Sequence, residues 1–137
     1  MAHFKHSELA DILHGFKEIA FAYLFGSAQE GVVNEGSDLD IAIYLIEKEN
    51  DLDLRIAIIK ELEKVVASVS SYDLVILNNA GSILAMQVLQ GKQLFVRDEY
   101  KDLFAGFYSL TCREYEDEMF WMKKQLEYRG YEVQWNN

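Results

Sequence analysis

Apolar and polar positions along the first hundred residues follow two periods, which predicts helices interleaved with short strands. Apolar residues recur at helical spacing after Ser7, so we expect a first helix there. Residues 20–25 are apolar and aromatic and end at Gly26, which indicates a strand. Residues 38–45 predict a second strand, whose core-facing side carries Leu39, Ile41, Ile43 and Leu45.

The segment between these strands predicts a short helix over residues 27–32 and a turn over residues 34–37. Residues 72–77 and 93–96 predict two more strands, with a helix from Gly81 or Ser82 to Gly91 between them. A further helix is expected from a cap at Asn50, with an apolar stripe on Leu52, Ile56, Ile59, Leu62, Val66 and Val69. This order indicates an α/β or α+β domain built on a small mixed sheet flanked by helices.

The pattern changes at residue 98, where residues 98–129 predict one long helix with a broad aromatic and methionine stripe. The stripe is wider than one face of a small sheet can cover. It fits a core helix with a solvated acidic side, or a helix that binds a partner. We therefore expect a domain over residues 1–97 and a C-terminal helical extension over residues 98–137 that packs on the domain, binds a partner, or does both.

Composition narrows the class of protein. The 137 residues suffice for one domain, and the single cysteine, Cys112, excludes an internal disulfide and a multi-cysteine zinc site. No secretory signal or membrane-length apolar run is evident, so a cytoplasmic location is expected. The net charge of −10 argues against direct binding of nucleic acid or membranes. It suits a basic protein partner, a cationic small molecule, or a nucleotide escorted by magnesium.

A carboxylate pair supplies the candidate chemistry. Asp38 and Asp40 are two positions apart in a predicted strand, so their side chains share a face and repel unless a cation lies between them. A small-residue turn, Gly26-Ser27, precedes them, and Asp73 follows on a later predicted strand. The carboxylate pair therefore predicts a divalent-metal site presented by a rigid strand, with a small-residue turn nearby.

These motifs resemble the nucleotidyltransferase superfamily of the polymerase-β type, and within it the minimal nucleotidyltransferase (MNT) antitoxins of HEPN/MNT toxin–antitoxin systems. The resemblance covers roughly residues 7–97. It implies a polymerase-β-like fold and a protein adenylyltransferase that moves AMP from ATP to a tyrosine of a HEPN-family RNase toxin. It also implies that Asp38, Asp40 and Asp73 are catalytic and bind two Mg²⁺ ions, and that Gly26 and Ser27 bind the nucleotide.

One departure from the family pattern concerns the triphosphate. Members often carry arginine soon after the Gly-Ser pair, whereas this chain has Ala28, Gln29 and Glu30. The candidates to supply the positive charge of this missing arginine are Arg55, Lys92 and Arg97, which we call the candidate replacement cations.

Two other functions remain open from the residues. A small-molecule nucleotidyltransferase of the aminoglycoside-modifying kind would suit an acidic cleft, although little chain remains to build an acceptor pocket. A non-catalytic toxin-binding module would suit the missing arginine. Outside the motifs, we expect His3 and His6 to lie in a frayed, solvated terminus, and Asn78 and Asn79 to form a turn.

Overall fold

The computed structural model of the chain describes residues 2–33, 37–47, 51–66 and 71–132. Its strands are β1 (Ala2–His3), β2 (Ile19–Phe25), β3 (Val32–Val33), β4 (Leu39–Leu45), β5 (Tyr72–Ile76) and β6 (Lys92–Val96). Its α-helices are α1 (His6–His14), α2 (Asp51–Glu63), α3 (Ser82–Leu89) and α4 (Lys101–Tyr128). The predicted turn at residues 34–36, the cap at Asn50 and the stripe position Val69 lie outside the described residues.

The main sheet has the strand order β5–β4–β2–β6. The two central strands, β2 and β4, are antiparallel, β6 is antiparallel to β2, and β5 is parallel to β4. This mixed sheet with flanking helices confirms the expected fold class. The short β1 and β3 form a separate antiparallel ribbon.

One face of the sheet carries the main core. Alternate residues of β4 point into it, as the period of two requires, and helices α1 and α2 cover it. Burial of each large aliphatic side chain stabilises the fold by about 1.5–3 kcal/mol. Its fully buried members include Leu9, Leu13, Ile41, Ile43, Ile58 and Leu62.

The predicted stripe of α2 is confirmed at Leu62 and Val66, which are buried in the main core, and wrong at Leu52 and Ile56. Leu52 and Ile56 are 64% and 46% exposed, whereas Ile58 and Leu62 are fully buried and Leu54 packs against them. The helix has apolar residues on more than one face, so periodicity alone does not select the face that meets the sheet.

The opposite face of the sheet packs against α3 and the first part of α4. Phe21 lies at its centre, with ring centroids 4.9 Å from both Tyr44 and Phe104 and 5.5 Å from Phe107. Helix α4 is continuous over 28 residues, about 42 Å, after a short 3-10 turn at Asp98–Tyr100. The predicted long helix is therefore confirmed, and it runs unbroken past Gly106. Among the described helices, none combines the length and apolar character that crossing a bilayer requires.

The prediction of a frayed N-terminus is wrong. Residues Ala2 and His3 pair with Val33 and Val32, and the Phe4 amide donates to the Gly31 carbonyl at 3.0 Å. Two-residue strands carry too little pattern to be recognised from sequence, so this ribbon becomes visible only in the structure.

Candidate active site

The sheet brings the candidate carboxylates to one end of its two parallel strands. Asp40 is in direct register with Asp73 on β5 and with Phe25 on β2, and Asp38 immediately precedes β4. Because residues in register on adjacent strands point to the same side, Asp40 and Asp73 share a face. That face is the one covered elsewhere by α3 and α4, since the alternate residues Leu39 and Ile41 point into the other core.

The turn after β2 lies directly against Asp40. Gly26 has a φ of +76°, and a β-carbon built on it would lie 2.1 Å from Oδ2 of Asp40. Any side chain at this position would both strain the backbone and displace the carboxylate. The turn continues as a short 3-10 helix, Gly26–Ala28, in which Ser27 is exposed and Ala28 is buried. Gly26 therefore couples the turn to the carboxylate group.

Asp38 has a different environment from Asp40. It is exposed, and Oδ1 accepts a hydrogen bond of 2.5 Å from the Ser71 hydroxyl. The carbonyl of Ser71 also accepts from the Leu39 amide at 3.1 Å, so Ser71 joins the starts of β4 and β5. Sequence reasoning missed Ser71; the available signal was a small hydroxyl residue two positions before Asp73.

Ionisation of Asp40 is disfavoured in the folded protein. Its pKa is raised, first by partial burial, then by the negative charges of Asp73 and Asp38 and by a hydrogen bond that links its carboxyl to Asp73. A cation placed among these groups would relieve the repulsion and favour the ionised form.

The donor set suits magnesium better than a softer metal. Carboxylate oxygens are hard ligands, and Mg²⁺ often takes one or two of them together with water and phosphate oxygens. Within the described residues, no group of three or more histidine, cysteine, aspartate or glutamate side chains is arranged to hold a metal by itself. Asp40 and Asp73, which lie in register on adjacent strands, supply hard oxygen donors of the kind that Mg²⁺ takes.

The structure removes one candidate replacement cation. Arg97 donates from Nε to the Ile19 carbonyl at 2.7 Å and from Nη2 to the His14 and Phe16 carbonyls at 2.6 and 2.8 Å. It therefore joins the end of α1 to the start of β2, and it is engaged away from the carboxylates. Sequence reasoning could not assign these bonds, because they join residues far apart in the chain.

The other two candidate cations, Arg55 and Lys92, lie on different sides of the sheet's strand order. Arg55 donates from Nη1 to the Leu74 carbonyl at 2.8 Å, on the edge strand of the sheet. Lys92 is exposed at the start of β6, in register with Leu24 two positions before Gly26. Lys92 is thus the candidate cation whose strand position is nearest the turn.

The predicted turn at Asn78 and Asn79 is confirmed as a short 3-10 turn, Leu77–Asn79. The side chain of Asn78 donates from Nδ2 to the Leu45 carbonyl and accepts at Oδ1 from the Leu45 backbone amide, each at 2.8 Å. Since Leu45 ends β4 and Asp40 lies near its start, Asn78 stabilises the end of the sheet remote from the carboxylates.

Residues 7–100 match the model of a family described as Polymerase beta, Nucleotidyltransferase. The chain belongs to this family. The family resemblance drawn from Gly26-Ser27, Asp38, Asp40 and Asp73 is thereby confirmed.

Known relatives of this nucleotidyltransferase agree with the fold. It is 35% identical over 91 residues to the protein adenylyltransferase MntA of Shewanella oneidensis, a match that spans 64% of this chain and 62% of the relative. A chain of a solved toxin-antitoxin structure with AMP-PNP is 24% identical to this chain. The TM-score is 0.63, and the match covers 90% of this chain and 93% of that one. A chain of a solved complex, described as tri-AMPylated Shewanella oneidensis HEPN toxin in complex with MNT antitoxin, is 23% identical to this chain. The TM-score is 0.58, and the match covers 89% of each chain. The polymerase-β-like fold is thus confirmed.

We expect the substitution Asp40→Asn to raise the Tm of the metal-free protein at about pH 7, because it removes a charge whose ionisation the folded state disfavours. The gain should be full above the raised folded pKa. It should fade as the pH falls through that value towards about 4, since the wild-type carboxyl is then protonated as well. Calorimetric melting in EDTA across this range measures the effect.

The matched control is Asp11→Asn, on an exposed position of α1. It should not reproduce the gain. An Asp40→Asn protein that melts at or below the wild-type temperature at neutral pH would contradict the repulsion inferred for this site.

Proposed function

We propose that this nucleotidyltransferase is the antitoxin of a HEPN/MNT pair and transfers AMP from ATP to a tyrosine of its HEPN-family RNase toxin. The observation that carries the proposal is the placement of Asp40, with Gly26 against its carboxylate and Asp73 in register beside it. The relative named as a protein adenylyltransferase, and the fold shared with toxin–antitoxin complexes, support the choice of acceptor.

The reaction joins a tyrosine hydroxyl oxygen to the α-phosphorus of ATP and breaks the bond between that phosphorus and the oxygen of the leaving pyrophosphate. We propose that Asp38 and Asp40 would hold two Mg²⁺ ions, with Asp73 completing the site. Such ions, when bound, would supply positive charge for the entering and leaving oxygens. Asp73 is the proposed acceptor of the hydroxyl proton. The exposed Ser27 hydroxyl and the nearby backbone amides are the proposed ligands of the β- and γ-phosphates.

The charge of the chain favours a protein acceptor. At −10, it would attract a basic RNA-cleaving toxin and repel nucleic acid itself. We therefore propose a cytoplasmic hetero-oligomer of antitoxin and toxin, without direct binding of RNA, DNA or membranes.

A non-catalytic toxin-binding module is the second candidate. It is favoured by Glu30, which stands where a cation is common, and by the engagement of Arg97 at the end of α1. The two functions make opposite predictions for the covalent state of the toxin.

We expect AMP transfer to require the carboxylates. Incubation with labelled ATP, Mg²⁺ and the co-encoded HEPN protein should label the toxin, and EDTA should stop the labelling. The double substitution Asp38→Ala and Asp40→Ala should lower the rate by at least about 100-fold, because it removes the proposed metal ligands. The double variant should still fold cooperatively and bind the toxin.

The matched control replaces two exposed acids of α1, Glu8→Ala and Asp11→Ala, and should transfer AMP at the wild-type rate. Undiminished transfer by the Asp38 and Asp40 double variant would refute the carboxylate assignment. Failure of the wild-type protein to modify the toxin would instead favour the binding module.

We further propose that the second half of α4 docks the toxin, within one domain whose catalytic part is residues 1–97. Phe104 and Phe107 fix the first half of the helix against the sheet. Beyond Thr111, large apolar side chains are exposed, and a groove lined by Trp121, Lys124, Gln125, Tyr128 and Arg129 opens near the end of the helix. Exposed aromatic and methionine side chains are typical of interface centres. We call this the α4 surface, defined by Phe120, Trp121, Met122, Leu126 and Tyr128.

We expect the double substitution Trp121→Ala and Leu126→Ala to weaken toxin binding by about 30-fold or more, as loss of an interface centre does. The substitutions should leave the Tm unchanged, since both side chains are partly exposed. Removal of all of α4 would be a poorer test, because it would uncover Phe21. Calorimetric titration with the toxin measures the effect.

Leu52→Ala is the control, since Leu52 is an apolar side chain on α2 that is 64% exposed, close to the 63% of Trp121. It should bind the toxin with wild-type affinity. Unaltered binding by the Trp121 and Leu126 variant would place the interface elsewhere.

A further inference from the structure

The N-terminal segment lies against the loop that follows Gly26 and Ser27. We call residues 2–6 the strap and residues 26–31 the phosphate turn. The strap pairs with β3 immediately after the turn, with Ala2 opposite Val33 and His3 opposite Val32. The Phe4 amide then donates to the Gly31 carbonyl at 3.0 Å. The strap therefore holds the far end of the turn by backbone hydrogen bonds.

His6 adds a side-chain bond to the middle of the turn. Its Nε2 lies 2.5 Å from the Gln29 carbonyl oxygen, and its ring meets the Phe4 ring edge-on, with centroids 5.8 Å apart. His6 also begins α1, which is anchored by the fully buried Leu9. Surface loops are in general more mobile than helices packed in the core. The hydrogen bond thus links a loop to a helix that is fixed by core packing.

Gly31 shows how closely the strap and the turn fit. Its φ is +87°, and a β-carbon there would lie 2.9 Å from the Phe4 carbonyl oxygen and 3.6 Å from Cε1 of His6. The Gly31 amide donates back to the Ala28 carbonyl at 3.1 Å, and Ala28 is fully buried. A side chain at position 31 would therefore separate the two segments.

We propose that the strap is a positioning element for the phosphate turn, and that His6 and Gly31 are positioning residues for nucleotide binding. The turn meets Asp40 at Gly26 and is held by the strap at Gln29 and Gly31. Both ends of the proposed phosphate site are thus fixed before ATP arrives, which lowers the entropy lost on binding. The nucleotide role rests on the proposed function; the restraint on the turn does not.

The test is the substitution His6→Ala. Loss of the hydrogen bond to Gln29 should raise the KM for ATP about fivefold and leave the KM for the toxin unchanged. Hydrogen exchange followed by mass spectrometry should show faster exchange for residues 26–31, with unchanged exchange in β2. His6→Gln, whose side-chain amide can also donate, should bring the KM for ATP and the exchange of residues 26–31 part of the way back to wild-type values. The control, His3→Ala, removes an exposed histidine of the same strap and should change neither readout.

Gly31→Ala tests the same idea without altering His6, and should likewise raise the KM for ATP and loosen the turn. Unchanged KM and unchanged exchange in both variants would overturn the proposal, as would faster exchange throughout the protein, which would show a general loss of stability. If the wild-type protein transfers no AMP, the proposed function fails. The exchange of residues 26–31 then still decides whether the strap restrains the turn.

Discussion

The close approach of the Gly26 backbone to the Asp40 carboxylate constrains the rest of this structure. It requires β2 and β4 to be neighbours in register at Phe25 and Asp40, so that the turn leaves the sheet beside the acid. It also requires glycine, because a β-carbon at position 26 would lie 2.1 Å from Oδ2. On the other side of β4, the parallel pairing with β5 places Asp73 next to Asp40. The turn and the pair of acids, for which we propose phosphate and metal binding, are thereby held together by backbone pairing.

This arrangement opposes folding locally. Partial burial and two neighbouring acids raise the pKa of Asp40, so its ionised form is disfavoured in the absence of a cation. The fold offsets that penalty with apolar burial on the other face, where Leu39 and Ile41 flank Asp40 in sequence and are fully buried. Local electrostatic strain at a site supported by a well-packed sheet is typical of functional residues.

Sequence reasoning predicted the parts of the molecule that carry a strong local pattern. The alternation in residues 38–45 predicts the strand, which runs over Leu39–Leu45, and the apolar periodicity after residue 98 predicts the long helix. It could not choose the buried face of α2, since apolar residues occupy several faces. It also missed the hydrogen bonds of Ser71, His6 and Arg97, which join segments that are distant in the chain. Such contacts are set by tertiary packing, which leaves no periodic signal in the sequence.

The contact between Gly26 and Asp40 should control the proposed AMP transfer, and a comparison of two glycine substitutions measures this dependence. Gly26→Ala should reduce the rate of toxin AMPylation by about 100-fold, because the added methyl group displaces the carboxylate. Gly81→Ala is the matched control, since a β-carbon there meets nothing within 4 Å and its φ is −69°. It should transfer AMP at the wild-type rate. Equal rates for the two folded variants would contradict the account.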